Sequence, residues 1–331
     1  MFEILKENLF GIEQLKIINV KTQEYITIIP NCGGLVNELV LGKSGKNYSI
    51  IDGYTSAEDL AEYKMHKSSK LIPFPNRIKD GKYVFAGKNY QLPINHPAEN
   101  HAIHGFIYDK KFKVIDAEIT ENEASINLEC IYNGDIEGYP FKFLIEMIYT
   151  FTADDGFNCQ TLVQNIDDTS MPFGDGWHPY FKFNKKINKI LLKIPSNKKT
   201  EVYDRMIPTG KIIQFDQFSE LTKIQNIELD TGFRIENQDA IVETEILDQK
   251  SNEKIIVFQE TGNKKYNFLQ VYIPPSRESI AVEPMTCNID AFNNKDGLII
   301  LEPGEVFEAN YGVRLEWIKD ITAKTPRKNK I

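Results

Sequence analysis

The feature that most constrains this chain is a strict two-residue alternation of apolar and polar side chains. Residues 141–151, FKFLIEMIYTF, put Phe141, Phe143, Ile145, Met147, Tyr149 and Phe151 at odd positions, with Lys142, Glu146 and Thr150 among the even ones. Successive side chains on a strand point to opposite faces, so this pattern is a long, half-buried strand. Residues 124–132, ASINLECIY, alternate in the same way through Ala124, Ile126, Leu128, Cys130 and Tyr132. ADDG at 153–156 supplies an Asp-Gly turn, with FNCQTLVQN as the returning strand. KYVFAGKNYQL at 82–92 predicts a second hairpin turning at Gly87. Further strands are expected at 13–20, 24–29, 35–41, 110–118, 199–203, 240–247, 253–260, 266–273, 278–283 and 305–317. Helical signal is confined to TSAEDLAEYKM at 55–65, with a Thr or Ser cap and acids in the first turn. No repeat and no Pro/Ser-rich linker divides the chain. These signs predict an all-β fold: one large antiparallel domain over 1–318, followed by a basic tail over 319–331.

A chain of 331 residues can bury a sizeable core without staples. Its net charge of −8 repels phosphate backbones, which argues against nucleic acid as a partner. No run of about 18 apolar residues exists, so no membrane span is expected. The opening MFEILKENLFGIEQLKI mixes charges among its apolar residues and does not read as a signal peptide. Cys32, Cys130, Cys159 and Cys287 are scattered without a CxxC pair, which points to unpaired thiols and a cytoplasmic location.

Three segments carry residues suited to chemistry. NHPAENHAIHGF holds His96, His101 and His104 in a loop-like stretch, and Gly105 after His104 permits close backbone approach. In MPFGDGWHPYFKF, His178 interrupts a run that otherwise reads as strand, and Pro179 removes a ladder donor beside it. In SIAVEPMTCNIDAFN, Glu283 closes an apolar run before Pro284, so a strand-end carboxylate facing a loop is expected, placed to act as a base. LIPFPNRI adds Asn76 and Arg77, whose fixed donors suit hydroxyl groups. His101 and His104 have i, i+3 spacing, but there is neither HExxH nor H-x-H, and a strand would point the two to opposite faces, so no metal is expected. GxSxG, GxGxxG and the phosphate-cradling GxxxxGK[ST] are absent. The remaining set suits proton transfer on a small polyhydroxylated molecule without a cofactor.

Together these segments resemble the aldose 1-epimerase (galactose mutarotase) family. NRIKDGKYVFAGKNYQLPIN followed by IHGF is similar to that family's Asn-Arg-Ile, hairpin and Leu-His-Gly pattern. WHPYFKF resembles its His-Pro-Tyr-Phe segment, and VEPMTCNIDAFN its block ending in Pro-Asp-Ala-x-Asn. The resemblance runs over roughly residues 25–315. It implies a large antiparallel β supersandwich with few short helices, and interconversion of the α and β anomers of a free aldohexose with no metal or organic cofactor. Carried over, Glu283 is the general base, His178 the general acid, and His104, Asn76 and Arg77 bind substrate. LDTGFRI and FLQVYIP resemble two further segments, implying that Asp230 binds hydroxyls and that Gln270 lines the cleft as a further substrate-binding residue. A protonated His178 facing an ionised Glu283 is the expected resting pair. The partner is a monosaccharide, and the protein is expected as a monomer or homodimer.

The sequence departs from the family pattern at LIPFP, Phe106 and Ile289. Two alternatives stay open: a hexose-6-phosphate 1-epimerase, with Lys110 and Lys111 supplying cations, and a non-catalytic carbohydrate-binding protein on the same scaffold.

Overall fold

The computed structural model describes residues 1–43, 45–153, 156–236 and 240–318. The tail at 319–331 and part of the 153–156 turn lie outside the described residues. The architecture is antiparallel and almost entirely β, with two short helices among the described residues, Ala57–Ala61 and Ala291–Asn294. A five-stranded meander runs through Phe2–Leu9, Ile12–Asn19, Tyr25–Ile29, Leu35–Lys43 and Lys46–Ser49. A nine-stranded sheet has Phe143–Thr152, Gly156–Asn165, Val306–Trp317 and Glu253–Glu260 as successive central strands. A six-stranded sheet has the order Tyr180–Lys182, Ser279–Met285, Phe268–Tyr272, Asp230–Arg234, Lys198–Tyr203, Ile207–Gln214.

The alternation explains the large sheet. Phe143, Ile145, Met147, Tyr149 and Phe151 are all fully buried, and their strand pairs in unbroken register with Glu123–Tyr132 on one side and Gly156–Asn165 on the other. A one-residue slip would turn that whole set to solvent, so burial of one face specifies the register. The expected 82–92 hairpin turns at Ala86 and Gly87, both at positive φ (47° and 76°), which a two-residue turn between twisted strands requires. Ring contacts join the nine- and six-stranded sheets. Trp177 stacks on Tyr311 at 4.9 Å and packs against Phe157 at 5.7 Å and Phe181 at 6.4 Å.

One buried polar network crosses this core. Lys70 Nζ donates to Asp175 Oδ2 at 2.8 Å and to Thr161 Oγ1 at 2.9 Å, and lies 4.8 Å from the Tyr311 ring centroid. Tyr266 donates its hydroxyl to the same Asp175 oxygen at 2.6 Å. A buried cation is tolerated when its partners are this close. The network fastens two segments together, since Lys70 also bridges Trp177 through the backbone.

Two expectations need correction. The helix expected over 55–65 is capped as foreseen, with Asp59 N–H donating to Ser56 Oγ at 3.1 Å, but it ends at Ala61. Tyr63 then enters the left-handed region, its ring packed on Tyr108 at 5.1 Å, and the chain continues as a single 3-10 turn. Glu283 is not at a strand end either. Its strand runs on through Pro284 to Met285. Val282 N–H points to Pro179 O, so the ring nitrogen of Pro284 faces the same irregular side, where its carbonyl accepts from Trp177 N–H at 3.2 Å. No regular ladder bond is lost there.

Candidate active site

Parity on the six-stranded sheet builds one wall of the site. Gly232, Gln270 and Glu283 lie in one cross-strand row, and Asp230, Tyr272, Ala281 and Tyr180 in the next. Residues two apart share a face. The opposite face carries Phe181, Phe233, Leu269, Val271, Ile280 and Val282, all buried in the core. The polar face opens into a cleft of about 510 Å³, within the roughly 300–1,000 Å³ typical of small-molecule sites. Gly232 keeps the floor low, because a Cβ there would sit 3.2 Å from Gln270 Oε1.

Loops form the second wall. Asn76 is at φ 58°, and its N–H donates to His104 Nδ1 at 3.3 Å. That bond makes Nδ1 the acceptor, so the proton of the neutral ring sits on Nε2. Gly105, at φ 64°, allows the close approach its position suggested: a Cβ there would meet Ile72 O at 2.0 Å. Asn76 Oδ1 accepts from Arg77 N–H at 3.0 Å and from Arg77 Nη1 at 3.1 Å, which leaves its amide NH₂ as a free donor. Across the cleft, Gln270 Nε2 donates to Asp230 Oδ1 at 2.6 Å.

The two walls meet at His178 and Glu283. His178 Nε2 is 3.5 Å from Glu283 Oε1, with the side chains 7% and 2% exposed. The backbone of His178 is clamped on both sides: its N–H donates to Ser69 O at 3.1 Å, and its carbonyl accepts from Ser68 N–H at 2.8 Å. Tyr180 stacks on the imidazole at 5.0 Å, and His104 meets it edge-on at 5.1 Å. His178 Nδ1, Glu283 Oε2, Gln270 Oε1 and His66 Nδ1 are buried polar atoms without a protein partner. All four belong to residues that line the cleft, a concentration of unmet polar groups that is uncommon, since buried polar groups otherwise find partners.

The family model for aldose 1-epimerase matches residues 16–314. The chain belongs to the aldose 1-epimerase family. It is 30% identical over 258 residues to the uncharacterized protein YihR of Escherichia coli, covering 75% of this chain and 80% of that protein. In fold it is similar to a galactose mutarotase-like protein from Clostridium acetobutylicum, with a TM-score of 0.85 at 21% identity over 96% of this chain and 99% of the other. A galactose 1-epimerase from Lactobacillus acidophilus aligns with a TM-score of 0.76 at 16% identity, over 96% and 99% of the two chains.

In this aldose 1-epimerase family member, all seven residues singled out from sequence line one cleft: Asn76, Arg77, His104, His178, Asp230, Gln270 and Glu283. Three neighbours escaped the sequence reading. His66 packs edge-on against His104 at 4.9 Å, Tyr272 lines the floor, and Glu99 binds Arg77. Nothing local distinguished His66 in its short turn, and Glu99 was overshadowed by the histidines around it. His101, by contrast, is a framework residue. Its Nδ1 accepts from Asp80 N–H at 3.1 Å and its Nε2 bonds Arg205 O at 3.0 Å. Lys110 pairs with Asp109 at 3.7 Å, and neither Lys110 nor Lys111 lines the cleft. A second cleft of about 510 Å³, lined by Tyr48, Lys182 and Glu253 among others, holds no imidazole.

Burial works against the expected imidazolium–carboxylate pair. Burial pushes the His178 imidazole down to about 3, and the nearby His66 adds to this. Burial, helped by the charge of Asp230, holds the Glu283 carboxyl well above the usual carboxylate range. His66 is pushed down to about 4, mainly by burial, and burial also holds His104 far below an ordinary histidine. Desolvation disfavours every charged form here, so burial favours neutral imidazole and carboxylic acid over the charged pair.

Proposed function

We propose that this protein is an aldose 1-epimerase that interconverts the α and β anomers of a free aldohexose, with Glu283 and His178 as the acid–base pair. The observation that carries this reading is the 3.5 Å approach of His178 Nε2 to Glu283 Oε1 on a cleft lined with hydroxyl-binding groups. Anomerisation needs one group to take the proton of the C1 hydroxyl and another to protonate the ring oxygen as the C1–O5 bond breaks. The open-chain aldehyde then turns about C1–C2 and closes with the roles exchanged.

The neutral pair that burial favours is one of the two forms this cycle requires. Carboxylic acid plus neutral imidazole holds one proton, as does carboxylate plus imidazolium. The first form protonates the aldehyde oxygen from Glu283 while His178 accepts the O5 proton, closing the ring. The second form opens it. Transfer of a proton between the two groups connects the forms, and sugar hydroxyls donating to the Glu283 carboxylate stabilise its ionised state. His104 donates from Nε2, Asn76 from its amide, and Asp230 accepts from hydroxyls. This division of donors and acceptors fits a polyol.

Polarimetry of freshly dissolved α-glucose and α-galactose tests the reading. Purified protein is expected to bring the rotation to its equilibrium value faster than buffer alone. Binding of either sugar without acceleration would instead mark a carbohydrate-binding protein on the same scaffold.

A further inference from the structure

The cleft contains an ion pair that the acid–base chemistry does not use. Arg77 Nε donates to Glu99 Oε2 at 2.6 Å and Arg77 Nη2 to Glu99 Oε1 at 3.4 Å, fork against fork. Nη2 is also 3.9 Å from Asp230 Oδ2, and Nη1 is held by Asn76 Oδ1. Every nitrogen of the guanidinium therefore has a protein acceptor. Among the described residues lining the cleft, the one other Lys or Arg is Lys64, which is paired with Asp59 at 3.0 Å. Glu62, Glu99, Asp230 and Glu283 supply carboxyl groups to the same lining. An anionic substituent entering this cleft finds no unpaired Lys or Arg, and it must displace a bidentate carboxylate or face one. A sugar hydroxyl has neither difficulty, because Glu99 and Asp230 keep lone pairs that accept from it.

We propose that Glu99 is a specificity-determining residue: by occupying the Arg77 guanidinium, it reserves the cleft for uncharged aldoses against sugars bearing phosphate or carboxylate. This rests on the aldose 1-epimerase reading above and names the substrate class within it. Glu99 is about a quarter exposed, so the pair is close enough to the mouth for its charge to act on an arriving ligand. The same exposure leaves that action open to salt, since the screening length shortens from about 10 Å at 0.1 M to about 3 Å at 1 M.

The test compares glucose, glucose 6-phosphate and glucuronate with wild type and Glu99→Gln, by anomerisation rate and by equilibrium binding. Wild type is expected to favour glucose, and Glu99→Gln to narrow the gap to the anionic sugars by roughly fivefold or more, the effect of one unit charge about 4 Å away even at the dielectric of water. Raising the salt is expected to narrow the wild-type gap as well. A wild-type preference that neither salt nor the substitution moves overturns the role of Glu99, and so does a wild-type preference for the phosphate. Should Glu99→Gln fail to fold, the salt dependence of wild type decides. Failure to accelerate any uncharged aldose would overturn the proposed reaction instead, and the binding ratio would still judge Glu99.

Discussion

His178 Nε2 lies 3.5 Å from Glu283 Oε1, and neither group has another close partner to satisfy it: His178 Nδ1 and Glu283 Oε2 are both buried and unbonded. A purely structural pair would use its remaining lone pairs and protons, because leaving them unmade costs about 1–3 kcal/mol each. Both residues line the cleft, and the first predictions concern their chemistry there.

Glu283→Gln keeps the shape of the side chain but cannot accept a proton. Its turnover on the preferred aldose is expected to fall by at least ~100-fold. Because burial already disfavours the charged carboxylate at this position, the neutral amide is tolerated there, and the melting temperature is expected to stay close to wild type. Polarimetry and a thermal melt check the two statements. Retained activity would remove Glu283 from the chemistry.

The pH–rate profile should lack an acid limb near the ordinary histidine value. Both competent forms of the pair hold one proton, and a second is added only as His178 titrates, at about 3. Activity per unit protein is therefore expected to persist down to pH 5. A half-loss of kcat/KM near pH 6.5 would contradict this.

Stability should decline with acid. His66, His104 and His178 are neutral in the fold well below the pH at which they charge in the unfolded chain, so unfolding there takes up three protons. Glu283 works the other way, because its folded form keeps a proton that the unfolded chain has released above 4.5. Between about pH 6.5 and 5 the three histidines outweigh the one carboxyl, so unfolding takes up protons there and stability falls as the pH drops through that window. Urea unfolding at several pH values between 5 and 7 measures the slope. A stability that rises toward pH 5 would refute the assignment.

Lys70→Ala should destabilise strongly, by about 3–5 kcal/mol, because it strands the Asp175 carboxylate in the core. The paired change Lys70→Met with Asp175→Asn should recover much of that loss. Equal destabilisation by the single and paired changes would show that the charges do not act as a unit.

How much of this was legible differs from element to element. The Phe143–Thr152 strand was plain because its neighbours on both sides are strands and one face is buried, so the alternation is complete. Phe2–Leu9 and Ile207–Gln214 were missed because each is the outer strand of its sheet, with both faces largely exposed and no reason to alternate. His178 stood out as an imidazole in a strand-like run. Glu283 was found but misplaced at a strand end, because a proline usually stops a ladder, and only the irregular neighbouring segment explains why this one does not.

The sequence by itself determined the all-β class and the family, because side-chain period and the order of short motifs are properties of the chain read locally. Tertiary structure alone decided which of five histidines face the cleft, that Glu99 covers Arg77, and that burial disfavours the charged forms of His178 and Glu283. Those outcomes depend on distances between remote segments and on how much water the packing excludes, and neither is written in any single stretch of residues.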